Sequence, residues 1–142
     1  MENLEKNAVY TTYNKSISEL VEQFRGFCMD EYGDRCEFGK VTVEREKDGG
    51  SWKLHEYNGL SDKAVQAFKN HLKAPTDIIR IRFGSSEDQN KLEFIVAKAG
   101  NSASISRHVK KEHLKDLDED QIIVLALGEN NGRKRKFIES LK

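Results

Sequence analysis

Proline is nearly missing from this 142-residue chain, with Pro75 the only one. That excludes a polyproline ligand segment, a rigid proline linker and a collagen-like repeat. Cysteine occurs only at Cys28 and Cys36, too few for a disulfide scaffold. No apolar run approaches the ~18 residues that a membrane-spanning helix needs, and the chain opens without the basic and apolar regions of a signal peptide. The expectation is therefore no membrane, a reducing cytoplasm, and two partly buried thiols rather than a bridge. Net charge is missing too: 24 Lys and Arg balance 24 Asp and Glu, so the chain as a whole has no general attraction to nucleic acid or to membranes. No internal repeat or low-complexity tract is visible, which argues against repeat architectures.

What is present is charge in quantity and apolar residues in periodic order. Charged residues make up 34% and hydrophobic residues 37% of the chain; the apolar runs are too regular for wholesale disorder. A chain of this length buries roughly 68–70% of its unfolded surface around one core. One compact domain over residues 1–142 is expected. The polar stretch 84–90, GSSEDQN, is the best internal boundary and would set a helix, hairpin, helix and strand part (1–84) apart from a second part (91–142). Charge is also unevenly shared. Residues 1–60 carry 8 Lys and Arg against 12 Asp and Glu, and residues 61–142 carry 16 against 12. Two surfaces with different partners or plain scatter would both give this result.

Val9-Tyr10-Thr11-Thr12-Tyr13 has the β-branched and aromatic content of a short strand or an arm. Ile17, Leu20, Val21, Phe24, Phe27 and Cys28 then recur at helical spacing, with Ser16 as N-cap, Glu19 at the capping-box position and Gly33 as the stop. Residues 36–47 alternate as a half-exposed strand, Asp48-Gly49-Gly50 makes a turn, and Trp52 to His55 returns as the second arm of a hairpin. A helix over 61–73 follows, capped by Ser61, with Leu60 stapling onto Val65 and with Val65, Phe68 and Leu72 as its stripe. Residues 78–83 alternate again, Ile79, Ile81 and Phe83 inward and both arginines outward. The segment 91–127 adds a strand, a Gly100-Asn101-Ser102 turn, a short helix, an acidic turn and the apolar strand IIVLAL. Arg133 to Lys136 lead into a terminal helix turn or frayed strand. The fold class is α+β: a mainly antiparallel sheet or partly open barrel packed against two amphipathic helices.

Enzymatic constellations fail on spacing. Cys28, Cys36, His108 and His113 have metal-ligand chemistry, but a Cys-x7-Cys pair and two histidines five apart are not zinc spacings. Cys36 and His55 could meet across the hairpin, yet no oxyanion motif or orienting carboxylate accompanies them. Asp77, Glu93 and Lys98 echo a nuclease pattern, but Glu93 and Lys98 are five apart and so face opposite sides of a strand. No glycine-rich phosphate loop is present, and Trp52 reads as packing. The expectation is no enzyme, no catalytic residue, no metal and no cofactor.

The string IVAKAGNSASISR, the helix KKEHLKDL, the acidic turn DEDQ and the strand IIVLAL together resemble the swapped-hairpin DNA-binding domain of the AbrB/MazE family of bacterial regulators and antitoxins. The likeness covers residues 91–128, with His108-Val109 standing where the family has Ile-Pro. It implies a bacterial or phage DNA-binding protein active in transcription regulation, a homodimer, and contacts through the turn residues Asn101 and Ser102 and the basic strand bearing Arg107.

Residue chemistry supplies its own support. Lys91, Lys98, Arg107, Lys110, Lys111 and Lys115 lie close in sequence against only Glu93 and Glu112, and such groups neutralise phosphates. Arg107 would read guanine; a solvated helix face accounts for the same lysines equally well. Arg133, Lys134 and Arg135 are further phosphate candidates. The leading expectation is a small cytosolic nucleic-acid-binding regulator, with duplex DNA as partner, using a basic surface around the Gly-Asn-Ser turn. The alternative is a non-enzymatic inhibitor, an immunity or phage anti-defence protein, that binds a basic protein through Glu37, Glu44, Glu46 and Glu56 on the acidic hairpin half.

Overall fold

The structure is a computed structural model that describes residues 9–32, 40–47, 50–59, 61–72, 77–83, 92–99, 105, 108–118, 121–126 and 132–142. Six strands and four helices follow one another: β1 (Val9–Tyr13), α1 (Ile17–Tyr32), β2 (Lys40–Lys47), β3 (Gly50–Asn58), α2 (Asp62–His71), β4 (Asp77–Phe83), β5 (Leu92–Lys98), α3 (Lys111–Lys115), β6 (Ile122–Ala126) and α4 (Gly132–Ser140). The strands form one sheet in the order β1-β6-β5-β4-β2-β3, and every neighbouring pair is antiparallel. The fold is thus α+β with an open sheet, its edges at β1 and β3. Strands β4 and β5, on either side of the 84–90 stretch, pair directly from Ile79↔Val96 to Phe83↔Leu92.

Helix α1 forms where its apolar spacing predicts. Ile17, Leu20, Val21, Phe24 and Cys28 are all buried on its inner face, so the stripe meets the sheet. The Oγ of Ser16 accepts from the Glu19 backbone N–H at 3.3 Å, satisfying one of the first-turn donors. Helix α2 starts the same way, with Ser61 Oγ accepting from Ala64 N–H at 3.2 Å. Before it, Gly59 adopts φ 92°, a conformation that a side chain would resist. The proposed staple residue Leu60 lies outside the described residues.

Alternation decides which side each strand residue serves. Tyr13, Val41, Val43, Ile79, Ile81, Phe94, Val96, Ile122, Val124 and Ala126 face α1, α2 and α4 and make the main core. Its centre is aromatic: the Phe24 ring stands edge-on to Phe94 at 5.4 Å and to Phe137 at 5.1 Å, arrangements that match ring quadrupoles. Phe137 and Ile138 are there because the chain end is a helix. Phe137, Ile138 and Leu141, at i, i+1 and i+4, share one buried face, so neither a single turn nor a frayed strand is what the end of the chain adopts.

A second, smaller cluster lies on the opposite side of the sheet. Ile95, Ala97, Ile123 and Leu125 point away from the three longer helices and are covered by Ile105, Val109, Leu114 and Leu117. The 105–118 segment therefore acts as a lid on the β1-β6-β5 half. This explains why β6 is apolar at every position: all five of its residues are buried, as expected of a strand covered on both faces.

Candidate functional site

Two surfaces carry the chemistry anticipated from the sequence. The first is the outside of the 105–118 lid. Its underside is held down by Leu114 and Leu117, and the turn after α3 is closed by Gln121, whose Oε1 accepts from Asp118 N–H at 2.8 Å. Lys110, Glu112, His113, Lys115 and Asp116 are left exposed. His113 reaches β1: its Nδ1 lies 3.1 Å from the Tyr10 hydroxyl, and the two rings lie nearly parallel, 24° apart, with centroids 6.4 Å apart. Two residues separated by 103 positions thus form a ring pair in which Tyr10 is half-buried and His113 exposed.

The structure divides the basic residues nominated from sequence rather than gathering them. Lys98 pairs with Ile122 and lies on the α1/α2/α4 side of the sheet, whereas Lys110 lies on the lid side. Arg135 is exposed on α4, which packs through Phe137 and Ile138 onto that same α1/α2/α4 side. Lys98, Lys110 and Arg135 therefore do not form one surface, because the sheet stands between the first and last of them and the lid. Asn101, Ser102 and Arg107 lie outside the described residues, as do the side chains of Lys111, Arg133 and Lys134 on their helices.

The second surface is the side of β4, β2 and β3 that faces away from α1, α2 and α4. Arg80 pairs with Thr42 across β4–β2 and with Ile95 across β4–β5. Its guanidinium lies between two carboxylates, 3.6 Å from Glu44 and 3.7 Å from Glu93. Beyond them on the edge strand, Lys53 Nζ donates to Glu56 at 2.9 Å. Strand β3 slips by one residue between the partners of Val43 and Glu44; this bulge puts Lys53 and Glu56 on the same side. Of the acidic residues nominated from sequence, Glu44 and Glu56 are brought onto this side. Glu37 lies outside the described residues, as does the Glu46 side chain. Arg80 and Glu93 escaped the sequence reading as a pair with Glu44, because their contact depends on which strands are neighbours.

Neither surface is a cleft. Among the described residues a recess of about 10 Å³ lies in the main core and is lined by apolar side chains including Leu20, Phe24, Phe94, Val124 and Phe137. That is room for about one water and offers it no hydrogen bond. Among the described residues no group of three or more His, Cys, Asp and Glu could hold a metal, and no helix is long and apolar enough to cross a membrane. Cys28 is a thiol buried in the α1 stripe; Cys36 lies outside the described residues. Tyr13 is a titratable group whose chemistry the fold alters. Burial pushes its phenol above the ordinary 10.0, and the Glu19 carboxylate adds to the rise. Its hydroxyl has no hydrogen-bond partner.

Comparison with known proteins gives no further guide, since no family model, curated protein or solved structure matches this chain.

Proposed function

We propose that this chain is a small cytosolic nucleic-acid-binding regulator, without catalysis of its own, that uses the outer surface of the 105–118 lid. One observation carries the reading: the Tyr10–His113 ring contact lies on a segment whose Lys110 and Lys115, three residues before and two after His113, are both exposed. Cations beside aromatic faces are the combination that holds a phosphate backbone while bases stack. The AbrB/MazE resemblance of 91–128 supports the same class, with duplex DNA as the ligand and a homodimer as the acting form. In low-salt mobility-shift titrations the protein should retard duplex DNA or a single strand. Replacing Lys110 and Lys115 by Glu should weaken binding and lower the salt slope by about one for each lost phosphate contact. Failure of both nucleic acids to shift at micromolar protein would rule the reading out.

A second reading is favoured by the Glu44–Arg80–Glu93 row with Glu56 beside it. This side of the sheet would engage a basic protein, its carboxylates steering the encounter as in an inhibitor or immunity protein. A stoichiometric partner recovered from the native host, and lost on Glu56→Lys, is the expected result. Recovery unaffected by that change would count against it.

A further inference from the structure

We infer that His55 and His71 form a two-histidine site for a divalent transition metal of the zinc, copper and nickel class. The inference goes beyond the nucleic-acid reading and uses neither of its surfaces. Strand β3 turns His55 toward α2, because His55 pairs with the buried Val43 and so shares the helix side with Tyr57. Helix α2 is fixed over that side by Phe68, fully buried, against which the Tyr57 ring stands edge-on at 6.3 Å and 82°. The last residue of the helix is His71, and the arrangement brings its ring to 5.2 Å from that of His55, centroid to centroid, with the planes tilted by 52°.

That separation is what coordination demands. A metal sits about 2.0–2.1 Å from an imidazole nitrogen, and the ring centroid lies roughly 1.1 Å further back. Two rings meeting a metal at about the tetrahedral 109° therefore have centroids about 5.2 Å apart. The rings are tilted by 52° rather than stacked face to face. His55 is exposed and His71 half-buried, so an aqueous ion can approach and keep its own waters. Since no third His, Cys, Asp or Glu completes a cluster among the described residues, the remaining positions belong to water. The donor set of two imidazoles selects zinc, copper and nickel over magnesium and calcium, which need oxygen ligands. A bound ion would tie the edge strand to the end of α2 and stabilise the folded chain, because the unfolded chain does not hold the pair together.

The test is calorimetric titration of the chelator-stripped full chain with Ni²⁺, together with thermal melting. The wild type should bind one ion per chain and melt higher with it. His55→Ala and His71→Gln should each weaken binding by about tenfold or more and abolish the thermal shift. His113→Ala, on the opposite side of the sheet, should change neither. With Cu²⁺, electron paramagnetic resonance should report two coupled imidazoles in the wild type and fewer in either variant. His55 is exposed, so His55→Ala should fold and carries the test if His71→Gln does not. Absence of saturable binding in the wild type, or binding undiminished in His55→Ala, would overturn the assignment.

Discussion

Strands β6 and β2 each occupy the middle of one half of the same sheet. All five residues of β6 are buried, whereas β2 passes from buried Val41, Thr42 and Val43 to half-buried Glu44 and exposed Arg45. Part of the difference lies on the second side of the sheet. Over β1, β6 and β5 that side is closed by Ile105, Val109, Leu114 and Leu117, and over β4 and β2 it carries Arg80 between Glu44 and Glu93. Full burial of an aliphatic side chain contributes about 1.5–3 kcal/mol. A partly exposed ion pair contributes roughly 0.2–1 kcal/mol. By this measure the apolar half contributes more to stability than the charged half.

The largest effect expected from probing this contrast is Ile123→Ala. Ile123 is fully buried in the lid cluster, and its truncation should cost about 2–5 kcal/mol in denaturant unfolding. A loss under 1 kcal/mol would mean that the lid is not packed and the two halves are alike. Arg80→Met should cost less, about 1 kcal/mol, because the guanidinium is 30% exposed and its removal leaves Glu44 and Glu93 facing each other across β4. A loss as large as that of Ile123→Ala would show that the charged half bears equal stability.

The smallest effect belongs to Tyr13→Phe, which removes a buried hydroxyl without a partner. Such a group costs free energy on burial, so the variant should be more stable by up to about 1 kcal/mol at neutral pH. The parent should also lose stability in alkali. Its folded phenol keeps its proton above the unfolded value of 10.0, so the neutral group's contribution is full below pH 10 and falls away as pH rises through the raised value. Melting curves between pH 8 and pH 11, compared with Tyr13→Phe, should keep a constant offset below about pH 10 and diverge above it.

Much of this architecture is legible in the sequence where the signal is local. The Ile17 to Cys28 stripe, the Ser16 and Ser61 caps, the hairpin and the apolar run of β6 all depend on residues within a turn or two of one another, and the structure reproduces them. Helix α4 was within reach, since Phe137, Ile138 and Leu141 keep helical spacing, but the four charges before them masked the pattern. The strand order was not within reach. The pairing of Val9 with Ala126 leaves no mark on local periodicity, and the Tyr10–His113, His55–His71 and Arg80–Glu93 contacts are all consequences of it or of helix docking. The candidate surfaces were therefore half legible. Exposed lysines can be counted from a sequence, but whether Lys98 and Lys110 share a side depends on the register of β5 and the path of the lid.

The strand order also bears on the time at which the molecule can close. Strands β2, β3, β4 and β5 are neighbours in a run of 59 residues, from Lys40 to Lys98, and can begin to pair while the rest is still being made. Strand β1 emerges first but waits for Ala126, 117 positions later than Val9. At synthesis rates of about 5–20 residues per second, that is an interval of roughly 6–23 s. Only in its last part, after Lys98 and before Ala126, does the edge of β5 that β6 will join stand open, and β1 is the last of the described strands to be joined.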